Sequence, residues 1–149
     1  MITIVSVGKK HEYEAAVEAY QKRLRAPFNV RWVLIPNSPE NGAGAQKTES
    51  QAIFKAVKQS DLVILLDERG EMITSPEFSR LLSNSFAGTV PAKIVIGGAY
   101  GVSDELRKRA DKVVSFGRMV MPHQLMRLVL IEQLYRAQTI AGGHPYHHS

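Results

Sequence analysis

Glu132 and Arg136 stand one helical turn apart in a stretch, Leu125 to Tyr135, that is otherwise apolar on nearly every side, and the chain then ends on Gly143-His144-Pro145-Tyr146-His147-His148-Ser149. A carboxylate, a guanidinium, a phenol and imidazoles are the groups that move protons, hold anions and stack on flat rings. The Glu132 and Arg136 spacing also suits a plain i,i+4 ion pair with Glu first, the favourable order. His144, His147 and His148 could collect a metal ion, but the cluster has no cysteine and no paired carboxylate, so no functional metal site is expected. His123, next to Pro122 at the start of the apolar stretch, is expected to cap or pack there.

A second kind of chemistry is carried by backbone. Gly97-Gly98-Ala99-Tyr100-Gly101 has the glycines that let amides approach a ligand and supply positive φ in a turn. It is not the dinucleotide fingerprint, which has a different spacing and follows a first strand. Leu66-Asp67-Glu68-Arg69-Gly70 and Ser115-Phe116-Gly117-Arg118-Met119 have turn chemistry that explains each of them alone.

The elements that must position these loops follow from periodicity. Ile2 to Val7 is expected as a first strand, with a helix carrying Tyr13, Ala16, Val17, Tyr20 and Leu24 and stopped by Pro27. Val30 to Ile35 is a second strand. Thr48 with Gln51 is expected as a capping box opening a helix through Val57. Leu62 to Leu66 is a continuous apolar run suited to a strand covered on both faces. Ser75 as N-cap with Pro76 at N1 opens the next helix. Lys93 to Ile96 is another central strand, Ser103 caps a short basic helix, Val113 and Val114 form a last strand, and the apolar stretch is the final helix. Strands alternating with helices predict an α/β domain with a mostly parallel sheet between helices. Ligands of such sheets sit beyond the carboxyl ends of central strands, which selects the loops after Leu66, Ile96 and Ser115. Trp32 is expected in the core.

The totals fit one domain over residues 1–149. With 44% hydrophobic and 22% charged residues the composition is that of a globular protein, and no segment approaches the roughly 20 apolar residues that cross a bilayer. The start, Met1-Ile2-Thr3-Ile4-Val5, is strand-like and lacks a basic leader. Zero cysteines exclude disulfides and thiolate chemistry, and a cytoplasmic location is expected. The net charge of +5 permits a polyanionic partner. Lys9, Lys10, Lys22, Arg23, Arg25 and Arg31 form one basic group, and Arg107, Lys108, Arg109 and Lys112 a second; either could be a solvated face. A helix apolar all round needs cover on more than one side, and a partner subunit is the simplest cover.

In combination the loops are specific. Leu-Asp-x-x-Gly, then Ile-Gly-Gly-x-x-Gly, then Ser-Phe-x-x-Met followed by Pro-His-Gln-Leu-Met-Arg, Glu-Gln-Leu-Tyr-Arg-Ala and a terminal Pro-Tyr-His resemble the RlmH family of SPOUT-class methyltransferases along the whole chain. The resemblance implies a SPOUT fold with a deep trefoil knot in the C-terminal half, an S-adenosylmethionine site, no metal, and a homodimer. It implies methylation at N3 of a pseudouridine in large-subunit ribosomal RNA, on the assembled ribosome. Periodicity alone would give an unknotted flavodoxin-like sheet, because threaded chains are rare.

Carried over by motif, Leu66, Gly97, Phe116, Gly117, Arg118, Met119, Val120 and Met121 correspond to cofactor-binding positions. Val120 stands where many relatives have Thr, and His148-Ser149 where a basic residue commonly follows the histidine. Arg136, His147, Tyr146 and Glu132 are the catalytic candidates. His147 is placed to take the imide proton, Arg136 to stabilise the anion or grip a phosphate, and Tyr146 to offer a hydroxyl or a stacking face. Two other classes stay open: a non-catalytic knotted RNA-binding module, and a nucleotide-sensing flavodoxin-like domain.

Overall fold

The computed structural model of the protein describes residues 1–9 and 12–146. Strands β1 (Ile2–Val7), β2 (Val30–Ile35), β3 (Leu62–Met72), β4 (Ala92–Ile96) and β5 (Lys112–Ser115) form one parallel sheet in the order β2-β1-β4-β3-β5. Helices α1 (Glu14–Gln21), α2 (Gly42–Ala56), α3 (Ser75–Ala87), α4 (Asp104–Arg109) and α5 (His123–Ala141) alternate with them.

Side-chain alternation along each strand divides the core into two. Ile2 and Ile4 of β1, Ile64 and Leu66 of β3, and Ile94 and Ile96 of β4 face Val17 of α1, Phe78 and Leu82 of α3, and Leu130, Ile131 and Leu134 of α5. Val5, Val7, Val63, Leu65 and Val95 face Ile53 of α2 and Leu106 of α4. The unbroken apolar run of β3 is therefore apolar because both of its faces are covered.

The flavodoxin-like alternative is corrected by strand order. That fold sets its third strand beside its first, whereas here β4 lies between β1 and β3 and pairs with both. Crossover connections decide that order, and local periodicity carries no record of them.

Several boundaries also move. β3 does not end in a loop at Leu66: it continues to Met72, with Leu66 and Glu71 both opposite Val114 and residues 67–70 pushed out between them. Gly70 makes this possible, since a Cβ there would lie 2.6 Å from the Val113 carbonyl oxygen. α2 opens at Gly42 rather than at Thr48, with Asn41 as N-cap and no side-chain cap. Thr48 instead donates to Glu40 Oε1 at 3.1 Å. The cap of α3 is Thr74, one residue before Ser75. Its hydroxyl accepts from the Glu77 N–H at 3.2 Å, while the Glu77 carboxyl accepts from the Thr74 N–H at 2.6 Å. Ser75 Oγ is used elsewhere, donating to Gln133 Oε1 at 2.7 Å. Ser103 caps α4 as expected, accepting from the Leu106 N–H at 3.2 Å. α1 ends at Gln21, well before Pro27. Trp32 is half-buried on β2, donating from Nε1 to Gln21 Oε1 at 3.0 Å.

The final helix is covered in large part by its own chain. Leu130, Ile131, Leu134 and Ala137 are fully buried within the single chain, against the sheet, α1 and α3. Its remaining apolar residues up to Tyr135, Leu125, Met126, Leu128 and Val129 among them, are half-buried rather than exposed. A second subunit is thus not needed to cover most of this helix. The apolar side chains most open to solvent are Met119 and Val120, at 83% and 79% exposure, in the segment just before it. Among the described residues no helix is long and apolar enough to cross a membrane.

Candidate functional site

A cavity of about 780 Å³ opens at the carboxyl ends of β3 and β4. Its walls come from the three segments that strand-end reasoning selects. β3 and its excursion contribute Leu65 to Arg69, the end of β4 contributes Ile96 to Val102, and the segment after β5 contributes Phe116, Gly117 and Met119 to Met121, with Pro122, His123 and Met126 closing it from α5. Leu66, Gly97, Phe116, Gly117, Met119, Val120 and Met121 all lie on this wall; Arg118 lies in the same segment, exposed, and is not part of it. The arrangement suits a ligand with a flat apolar face and polar edges.

Local geometry explains the glycines. Gly117 has φ +145° and Gly101 φ +73°, and both face open space, so backbone conformation is what demands glycine there. Gly97 is different. A Cβ at that position would meet Val102 Cγ1 at 2.9 Å, so it is glycine for packing of the loop against its own return.

Charge at the rim is balanced. Asp67 accepts from the Arg69 N–H at 2.8 Å and pairs closely with Arg107. Burial works to raise the Asp67 pKa, but these hydrogen bonds outweigh it and hold the carboxyl below its usual range. The two arginines are thus answered by the carboxylate between them. His123 is pushed the other way: burial first, and then the Arg127 charge, lower its pKa and favour the neutral ring at pH 7.

The catalytic candidates form a second cluster, at the far end of α5. Glu132 Oε1 accepts from Arg136 Nε at 3.1 Å and Nη2 at 2.7 Å, so the i,i+4 pair is made. Tyr146 donates to the same oxygen at 3.4 Å, and its ring lies 5.1 Å from the Arg136 guanidinium. Burial first, and then the Glu132 charge, raise the Tyr146 pKa, so the phenol keeps its proton and serves as a donor. Tyr135 packs edge-on to Tyr146 with ring centres 4.8 Å apart, and Arg23 stacks 5.5 Å from both Tyr20 and Tyr135. Aromatic faces interleaved with cations form a platform on which a nucleobase can stack. His147 lies outside the described residues.

The cavity lies at the start of α5 and the Arg136 cluster toward its end. From His123 to Arg136 the helix advances about 20 Å at 1.5 Å per residue. α5 starts at the carboxyl ends of the strands and returns to their amino ends, where Gln138 bonds the N–H of Arg25 and the carbonyl of Arg23 at 2.7 and 3.0 Å.

Sequence reasoning passed over one buried cation. Arg127 is 1% exposed, the largest fully buried side chain, and donates to Ser6 Oγ at 2.8 Å, to the Val7 carbonyl at 3.0 Å and to the Gly8 carbonyl. A charged residue inside an apolar helix is the signal that singled out Arg136, and Arg127 carries it equally. Of the basic groups, Arg107 and Arg109 are engaged within the fold, Arg109 with Asp111 and with backbone carbonyls after α2. Lys22, Arg23, Arg25 and Arg31 remain exposed. No group of acidic, histidine or cysteine side chains able to hold a metal occurs among the described residues.

Residues 1–147 match the family model described as "Predicted SPOUT methyltransferase". The chain is 41% identical over 155 residues to the ribosomal RNA large subunit methyltransferase H of Geobacter sulfurreducens, covering 99% of each chain. It is 42% identical over 156 residues to the protein of that name from Lactobacillus delbrueckii subsp. bulgaricus and 39% identical to that of Clostridium kluyveri, with 98% of each chain covered.

Proposed function

The chain belongs to the SPOUT methyltransferase family, and on that footing we propose that it transfers the methyl group of S-adenosylmethionine to N3 of a pseudouridine in large-subunit ribosomal RNA, acting in the cytoplasm on the assembled ribosome. The observation that carries the proposal is the cavity of about 780 Å³ at the ends of β3, β4 and β5, with its apolar walls and glycine turns. Leu66, Ile96, Phe116 and Met121 would pack against the adenine and thioether, and backbone amides of the glycine turns would meet the polar edges. When bound, that cofactor supplies an electrophilic methyl. The protein's part is to exclude water, orient the acceptor nitrogen, and stabilise the charge left when its proton departs.

The distance along α5 bears on how the site is completed. Along α5, Arg136 lies about 15 Å and Glu132 about 9 Å from Met126 on the cavity wall of their own chain. We therefore read the enzyme as a homodimer in which the tail of one subunit serves the cavity of its partner. Met119 and Val120, exposed in the single chain and on the cavity wall, supply apolar surface for that contact. A trefoil knot fits a chain in which the segment after β5 packs beside the excursion of β3, and the whole of 1–149 would be one such domain.

The test has two parts. Calorimetric titration should show saturable S-adenosylmethionine binding, and ribosomes from a strain lacking the modification should acquire one methyl group. Binding without transfer would favour the RNA-binding module, and absence of binding would refute the proposal.

A further inference from the structure

Arg23 sits in the angle between two aromatic rings. Its guanidinium lies 5.5 Å from the ring centres of Tyr20 on α1 and Tyr135 on α5, which are 6.3 Å apart and inclined at 53°. Its backbone is pinned as well: its N–H donates to the Tyr20 carbonyl, and its own carbonyl accepts from Gln138 Nε2, both at 3.0 Å. The residue is exposed, and among the described residues no hydrogen bond or ion pair takes up its guanidinium. Ring faces attract a cation without neutralising it. Five N–H donors are therefore held at the surface with their charge unanswered.

The neighbouring basic residues are committed elsewhere. Arg25 Nη1 donates to the carbonyls of Lys22 and Leu24 at 2.7 and 3.0 Å, closing the end of α1, and Arg31 Nε donates to Thr3 Oγ1 at 3.2 Å. Lys22 lines a separate hollow with Glu14, Glu18 and Trp32. Arg136, at the other side of the tyrosine cluster, is answered by Glu132.

We propose that Arg23 grips a backbone phosphate of the ribosomal RNA strand next to the nucleotide to be methylated. The inference rests on the RNA methylation proposed above and adds the residue that holds the strand. A planar guanidinium matches two phosphate oxygens at once, which suits Arg rather than Lys at this place. One seated beforehand on two rings also loses little side-chain freedom when it binds. Tyr135 continues edge-on into Tyr146, over which Arg136 lies, so a strand held by Arg23 runs past the groups proposed to act on the base.

Arg23→Gln removes the charge, and Arg23→Lys keeps it without the planar fork. In cosedimentation with unmodified ribosomes and no methyl donor, Arg23→Gln should bind about fivefold more weakly at about 0.1 M salt. Its slope of log affinity against log salt should be shallower than wild type by about 0.7 to 0.9, the counterions released by one phosphate. Arg23→Lys should keep the wild-type slope and lose part of the affinity. Lys55→Gln, the same charge change on exposed α2 surface across the sheet, should leave the slope unchanged. S-adenosylmethionine affinity and Tm should not move in Arg23→Gln, and with ribosomes in excess its single-turnover rate should stay within about twofold of wild type, because Arg23 holds the strand and not the reacting atoms. An unchanged slope in Arg23→Gln would overturn the proposal. So would an equal change of slope in Lys55→Gln, which marks overall charge, or a lowered Tm with full ribosome affinity, which marks Arg23 as packing between α1 and α5. Failure of the wild-type protein to methylate ribosomal RNA would instead refute the function on which the proposal rests, and is read separately from the slope.

Discussion

Two inactive variants should make an active enzyme when mixed. Arg136→Ala removes the guanidinium that Glu132 holds by bonds of 3.1 and 2.7 Å and that lies over Tyr146. Loss of one preorganised charge-stabilising donor costs about 100- to 1000-fold in rate, about 2.7–4 kcal/mol. Met121→Trp, in the segment just before α5, should fill the cavity with an indole and abolish cofactor binding. If each site draws its tail from the partner, random exchange of equal amounts leaves about half the dimers mixed, and each mixed dimer holds one site with both parts intact. Activity should therefore return to about one-quarter of wild type. If cavity and tail of the same chain acted together, every site in the mixture would carry one lesion and activity would stay near zero. The assay is methyl incorporation into unmodified ribosomes after subunit exchange, with exchange verified by a size-tagged subunit. Absence of recovery despite verified exchange refutes the shared site, and a fully active Arg136→Ala homodimer refutes the role of Arg136.

Thr74→Ala breaks the capping box of α3, and should cost about 1 kcal/mol and lower Tm by about 2–4 °C in a thermal melt; an unchanged Tm would mean the helix end is held by packing alone. The protein should sediment as a dimer, and Met119→Lys with Val120→Lys should yield a folded monomer because both side chains project from the single chain. Ile131→Glu should instead unfold the subunit, since Ile131 is fully buried within it; a folded monomer from that change would contradict the core described above. Burial alone would raise the pKa of Asp61, but Lys93, 2.8 Å away, and the Lys58 N–H hold it below its ordinary 3.8. A depressed carboxyl stabilises the fold above its unfolded pKa and loses that contribution as pH falls through the folded value. Asp61→Asn should therefore be less stable than wild type at pH 7, with the gap closing below about pH 3.8 in melts across pH; a gap constant with pH would refute the linkage.

The layers were legible because both signals for them are local. Alternation places β1, β2, β4 and β5 within a residue or two, and the apolar run of β3 announces a strand covered on both faces. What escaped was non-local or degenerate. Gly42, Ala43 and Gly44 look like a turn by composition, yet they form the first turn of α2, where Ala45 packs into the core at 1% exposure. Thr74 and Ser75 are both competent caps, and the choice falls to Thr74 because Glu77 then stands at N3 to complete the box. The excursion at residues 67–70 depends on Gly70 lying against the backbone of Val113, a contact between residues distant in sequence.

The apolar helix shows how much of its cover its own chain supplies. Apolar residues on all sides of α5 suggested that a second subunit covers it, but a helix lying on a sheet between two other helices is covered on three sides by its own chain. Its polar insertions then acquire distinct meanings according to which neighbour they meet. Arg127 faces the end of β1 and is buried against carbonyl oxygens, where a charge is tolerated only because every bond it needs is supplied. Arg136 faces the α1 side near the tail and keeps a quarter of its side chain in water, so its pairing with Glu132 leaves it accessible to an anion. The same residue type in the same helix is thus fully buried at one end and partly in water at the other, where the proposed chemistry would need it, and burial separates the two. Met119 and Val120, the most exposed of the apolar side chains, also wall the cavity, so in the homodimer proposed above association of subunits and capture of a ligand would draw on the same short segment.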